Sequence, residues 1–149
     1  LPKREKSTFF FFFFGSKRHF INIHGSEGKD AWEVMEKILK EKYPEMTEAF
    51  RKYEKQTSGY FYNMCIMKKS DFDRYYEWLF DILFQVEKEI NVNSYSKYNQ
   101  RMFGFLSERL LTFWVTFHAL QIKEIEINFI EKPSFLESVK QFVYRKMER

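Results

Sequence analysis

Arg101, Gly104, Glu108 and Thr112 follow one another at three- and four-residue steps through a largely apolar segment. At about 100° per residue this spacing sets them close to one line on a helix. Together these residue types offer the chemistry of group transfer to a hydroxyl. A guanidinium presents a planar fork of donors to phosphate oxygens, and a carboxylate can accept the proton of an attacking hydroxyl. Glu108 is therefore the candidate base and Arg101 the candidate phosphate or substrate contact. Glycine inside a helix costs roughly 0.5–1 kcal/mol relative to alanine, so Gly104 implies close approach of a ligand or of another backbone. The plainer reading is a solvated outer face, where Arg, Glu and Thr are common.

Other positions carry less. Asn63 sits in the apolar run NMCIMKK and needs hydrogen-bond partners once buried, since leaving them unmade costs about 1–3 kcal/mol. Sugar hydroxyls would satisfy it, and so would a backbone group at a strand end. Lys68 and Lys69 can face a phosphate or simply cap that run in solvent. His24 stands in a glycine-containing loop and is a weak binding candidate. His19, His24 and His118 show no metal-ligand spacing to one another or to Cys65, so no metal site is expected. Asp71-Phe72-Asp73 has the form of a metal-binding acidic pair, but it falls where a helix begins and reads as capping. There is no phosphate-cradling glycine loop and no nucleophile elbow. Cys65, the one cysteine, lies between Met64 and Ile66 and reads as a buried inert thiol; it also rules out an intrachain disulfide.

The elements that must hold these residues follow from periodicity. Asp30 and Glu33 suggest a capping box opening a helix with Ala31, Val34, Met35, Ile38 and Leu39 inward. A shorter helix spans Glu45 to Lys55, and Tyr60 to Met67 reads as a buried strand. Ser70 and Asp73 repeat the capping pattern before a helix with Phe72, Tyr75, Tyr76, Leu79, Leu83, Val86 and Ile90 at helical spacing and Trp78 packed beside them. After the polar loop from Asn91 to Lys97, the helix carrying Glu108 runs from Tyr98 to about Ala119. Its inward face is Met102, Phe103, Leu106, Leu110, Phe113, Trp114 and Phe117. Ile125, Ile127 and Phe129 alternate with polar residues as a half-exposed strand, and Pro133 opens a last helix. The class is α/β, mainly helices with a few strands.

The chain has 149 residues, 44% apolar and 31% charged, which suits one globular domain or part of one. Aromatic residues reach 21%, and 19 of them are Phe, so flat rings must fill much of the core. A net charge of +4 is too weak to indicate nucleic-acid binding, and no RNA- or DNA-binding motif accompanies it. No apolar run approaches the ~20 residues that span a bilayer. Phe9 to Phe14 are six consecutive phenylalanines flanked by Lys and Arg. They suit a buried strand, an interfacial anchor or an abnormal tract of repetitive coding sequence; the last is the expectation here. Residues 1–29 are accordingly set apart as an atypical segment from the body at 30–149.

Two pieces, NMCIMKKSDFDRYYEWLFDIL from Asn63 and YNQRMFGFLSERLL from Tyr98, resemble a bacterial glycosyltransferase family of capsule and exopolysaccharide gene clusters, defined by a domain of unknown function. The resemblance runs from Tyr60 to about Glu131, extends over Asp30 to Tyr53, and leaves out Ser7 to Gly28. GFLSERL, with Arg101 ahead of it, is its most specific piece, and the family carries a histidine near His24. It implies the C-terminal, acceptor-side portion of an incomplete GT-A-like domain lacking the nucleotide-binding half. It further implies transfer from a nucleotide-sugar donor to a glycan or lipid-linked glycan acceptor, in the cytoplasm at the inner face of the membrane, by a protein inactive as this fragment alone. The divalent-metal requirement stays open. The competing expectations are a membrane-surface or partner-binding module, built on the Phe run and the basic residues Lys140, Arg145, Lys146 and Arg149, and an inactive gene remnant.

Overall fold

A computed structural model describes residues 8–13, 25–56, 59–60 and 64–126. Four helices carry most of them: α1 (Gly25–Lys42), α2 (Thr47–Glu54), α3 (Lys69–Glu89) and α4 (Met102–Phe117). Short 3-10 turns at Pro44–Met46, Val92–Ser94 and Asn99–Arg101 join them. Three strands, β1 (Thr8–Phe13), β2 (Cys65–Ile66) and β3 (Gln121–Glu126), form a sheet in the order β2-β1-β3. β1 runs antiparallel to β2 and parallel to β3, with Phe11 opposite both Cys65 and Glu124. The architecture is mainly helical, as anticipated, with a small mixed sheet.

α4 is the centre of the molecule. Its described side chains from Phe105 to Val115 are buried except Glu108, which is half-buried. That burial explains a mean hydropathy too high for a one-sided surface helix. Rings supply the packing. Phe113 meets Phe50 edge to face at 5.0 Å and Tyr53 at 5.4 Å, while Tyr75 packs against Trp114 at 5.4 Å. Edge-to-face and offset pairs of this kind add roughly 0.5–1.5 kcal/mol beyond the area they bury. From α1, Ala31, Met35, Ile38 and Leu39 enter the same core, as their spacing predicts.

Several expectations need correction. α1 begins at Gly25, so Asp30 lies exposed inside the helix and caps nothing; α1 passes through residues 29 and 30 without a break. α3 starts at Lys69 with Lys68 as its cap residue and no side-chain cap bond, so Ser70 is not a cap either. Asp73 instead accepts from Lys69 at 2.6 Å, and Asp71 lies 3.8 Å from Arg74. The Phe run contains strand β1, paired with β3 along Thr8–Phe13 and with β2 at Phe10 and Phe11. β2 is only two residues long, and β3 starts at Gln121, ahead of Ile125. The last helix expected from Pro133 lies outside the described residues, as do the basic residues assigned to it.

The end of α4 is closed by a Schellman motif. Leu120 N–H donates to Val115 O and Ala119 N–H to Thr116 O, both at 3.1 Å. Ala119 takes the left-handed conformation there, with φ 49°. β3 follows at once, so this turn sets the angle between α4 and the sheet.

Candidate functional site

The approach to α4 is fixed from α1. Glu27 accepts hydrogen bonds from Ser96 N–H at 3.1 Å, Ser96 Oγ at 3.0 Å and Asn99 Nδ2 at 2.5 Å. The Asn99 amide, then the Ser96 N–H, hold its carboxyl below the usual carboxylate range. This ties down the Asn99–Arg101 turn, from which Arg101 emerges into solvent. The Arg101 guanidinium lies 5.5 Å over the Phe105 ring, and Tyr98 packs on that ring at 5.4 Å. A stacked guanidinium keeps its edge free for hydrogen bonding in the ring plane.

Glu108 lies two helical turns beyond Arg101 and is half-buried. Burial pushes its carboxyl above the ordinary value, against the pull of Arg109 and then Arg101, which favour the ionised form. Arg101, from the turn before α4, thus lies within electrostatic reach of Glu108 on α4. Gly104 lies between them, exposed, and a Cβ built on it meets nothing within 4 Å. No described backbone requires this glycine. What remains is an open floor between a guanidinium and a carboxyl.

Thr112 does not belong to that floor. It is buried, and its hydroxyl donates to Tyr60 O at 2.8 Å while accepting from Tyr60 N–H at 3.0 Å. Tyr60 in turn donates its phenol to Glu124 Oε1 at 2.7 Å, and burial followed by that contact raises the phenol to about 12. Thr112 therefore clamps the segment leading to β2, and Tyr60 joins α4 to β3. Asn63 and His24 lie outside the described residues.

Arg109 was missed by sequence reasoning. It is buried, its Nη1 donates to Phe105 O at 2.8 Å, and burial lowers its pKa against the opposing pull of Tyr53 and Glu108. Its own backbone carbonyl accepts from Tyr53 Oη at 2.6 Å. The available signal was a cation inside an otherwise apolar stretch, directly after the candidate base. Cys65 is partly rather than fully buried, and burial pushes its thiol up to about 11. Among the described residues no group of three or more His, Cys, Asp or Glu side chains could hold a metal ion.

Comparison with known proteins gives a family and a shared fold. The family described as a domain of unknown function (DUF4422) matches residues 4–119. That match includes the stretch from Ser7 to Gly28, which sequence reading had left out. The apo structure of the bifunctional glycosyltransferase WbbM superposes with a TM-score of 0.68 at 24% identity, over 89% of this chain and 26% of that one. At that identity the likeness establishes a shared fold, and the chain spans about a quarter of the length of that protein. No curated protein matches the chain.

Proposed function

We propose, for a chain that belongs to the family of the domain of unknown function DUF4422, that the Arg101–Gly104–Glu108 face takes part in transferring a sugar from a nucleotide-sugar to a glycan acceptor. The observation that carries this reading is a half-buried carboxyl, raised by burial and within electrostatic reach of Arg109 and Arg101, on a face where Gly104 is exposed. In this reading Glu108 takes the proton of an acceptor hydroxyl. The hydroxyl oxygen bonds to the anomeric carbon, and the bond to the nucleotide breaks with its electron pair leaving on phosphate. Arg101 offsets the charge gathering on that phosphate. The reading takes a GT-A-like arrangement with this chain on the acceptor side and the nucleotide gripped elsewhere; the fold shared with a bifunctional glycosyltransferase supports its glycosyltransferase-like kind. Capsular or exopolysaccharide synthesis at the inner face of the membrane, on a lipid-linked glycan, is the setting this reading favours. Nucleotide release from UDP-, GDP- and CMP-sugars, measured with and without neutral glycan acceptors, tests it. Release that ignores the acceptor in every combination would sink the reading.

A second reading, a membrane-surface or partner-binding module, is favoured by one observation. Phe72, Tyr76, Phe80 and Phe84 stack in series along α3, with Phe72, Phe80 and Phe84 exposed by 47%, 44% and 55%. Among the described residues no helix is long and apolar enough to cross a membrane, so such contact would be peripheral. Flotation with anionic vesicles checks it, and equal recovery of wild type and Phe80→Ser/Phe84→Ser in the lipid fraction would remove it.

A further inference from the structure

α4 opens without a side-chain cap of its own. Its cap residue, Arg101, makes no cap bond, and the Asn99–Arg101 turn ahead of it closes loosely. Arg101 N–H reaches Tyr98 O at 3.4 Å, beyond the usual ~2.7–3.2 Å. Hydrogen-bond geometry in a 3-10 turn is poorer than in an α-helix, so such a turn needs outside support to hold one position.

The support comes from α1. Glu27 lies in the first turn of that helix, where the dipole favours a carboxylate, and 69 residues before Ser96. Its Oε1 accepts from Ser96 N–H, and its Oε2 accepts from Ser96 Oγ and Asn99 Nδ2. Ser96 and Asn99 bracket Tyr98, so both ends of that stretch are fastened to one carboxylate. Asn99 is itself buried, which leaves the turn little room to shift.

The same stretch carries the two side chains that cover Phe105. Tyr98 packs on the Phe105 ring, and the Arg101 guanidinium lies over it. Among the described residues that guanidinium makes no hydrogen bond or ion pair. The backbone at residue 101 and the Phe105 ring therefore decide where it lies. Phe105 is fixed from within α4, where its carbonyl accepts from Arg109 Nη1. A shift of the turn would carry Arg101 off the ring and leave Glu108, inside α4, where it is.

We propose that Glu27 is a positioning residue for Arg101: through Ser96 and Asn99 it holds the guanidinium on the Phe105 ring and so presets its donors for a phosphate oxygen. The phosphate rests on the sugar-transfer reading; the placement of Arg101 does not and is measured apart from it. A brace for folding alone would lower stability without a selective effect on substrate binding.

Nuclear magnetic resonance of the whole chain reads the placement without turnover, from the nuclear Overhauser contact between the Arg101 Hδ protons and the Phe105 ring. Glu27→Gln keeps the size of the side chain but leaves one acceptor oxygen where three donors converge, and Glu27→Ala leaves none. The contact should fall by at least half in both variants, while core contacts such as Tyr75 with Trp114 stay. Should Glu27→Ala fail to fold, Glu27→Gln decides alone. Acceptor-dependent nucleotide release reads the consequence: KM for the nucleotide-sugar should rise at least fivefold, with kcat within twofold of wild type. In an Arg101→Ala background neither Glu27 variant should raise KM further, because no guanidinium is left to misplace. The proposal is overturned if the Arg101–Phe105 contact persists in the Glu27 variants, if Arg101→Ala raises KM and they do not, or if they raise KM as much without the guanidinium as with it. An Arg101→Ala protein with wild-type KM would sink the sugar-transfer reading instead, and the resonance contact would still support or overturn the placement by Glu27.

Discussion

Glu108 is where burial and charge oppose each other most directly. Its folded pKa is raised, so it favours the folded state below the ordinary carboxylate value of 4.5, and that contribution is lost as pH rises through the folded pKa. At neutral pH the ionised group is thus a cost to folding. Glu108→Gln should leave the melting temperature at pH 7 unchanged or raised, while transfer falls by about 10²–10⁴-fold, the range for a lost general base. The acidic limb of the wild-type rate profile should lie above the ordinary carboxylate range, and the variant should lack it. Gly104→Ala separates open floor from occupied floor. Free of steric conflict with described residues, it should raise stability by roughly 0.5–1 kcal/mol in denaturant titrations. If a substrate lies over residue 104, the same methyl group lowers kcat/KM. Full activity with raised stability would show that nothing docks there. The line of Arg101, Gly104 and Glu108 was legible from spacing alone. That Thr112 leaves this line was not, because nothing in its own sequence neighbourhood shows that Tyr60 covers it.

Among the elements, helices with a one-sided stripe were the easiest to read. Ala31, Met35, Ile38 and Leu39 point inward because a 3.6-residue repeat leaves them no alternative. The helix starts were misread because the expected Asp and Ser caps are not used; α3 begins without any side-chain cap bond, and the carboxylate of Glu27 serves the α3–α4 connector instead. β1 was illegible for a different reason: six identical residues carry no period, so only the pairing with β2 and β3 identifies a strand. The close of α4 yields a sharp prediction. Ala119 occupies a left-handed conformation that costs a non-glycine residue about 1–2 kcal/mol. Ala119→Gly should therefore raise the unfolding free energy by up to about 1 kcal/mol, after the greater flexibility of glycine in the unfolded chain is offset. A loss of stability on this change would mean that the Ala119 methyl makes a packing contact worth more than the strain.

At the scale of the whole molecule, α4 is both the centre of the core and the carrier of the candidate base, so packing and chemistry share one helix. Tyr53 illustrates the coupling: its buried hydroxyl bonds the carbonyl of Arg109, next to Glu108. Tyr53→Phe should cost about 0.5–1.5 kcal/mol, the net worth of one hydrogen bond, because the Arg109 carbonyl keeps its helical partner, and it should disturb activity through the placement of Arg109 and Glu108. The fold is shared with part of a larger bifunctional glycosyltransferase. The role proposed for the Arg101–Glu108 face is sugar transfer. The most direct measurement is the rate of acceptor-dependent nucleotide release by this chain joined to a nucleotide-binding domain, compared with Glu108→Gln and Arg101→Ala in the same protein. A fall of at least 100-fold in kcat is expected for Glu108→Gln and a raised KM for Arg101→Ala, with neither protein melting below wild type. Wild-type kinetics in both variants would contradict it and leave this face a solvated surface.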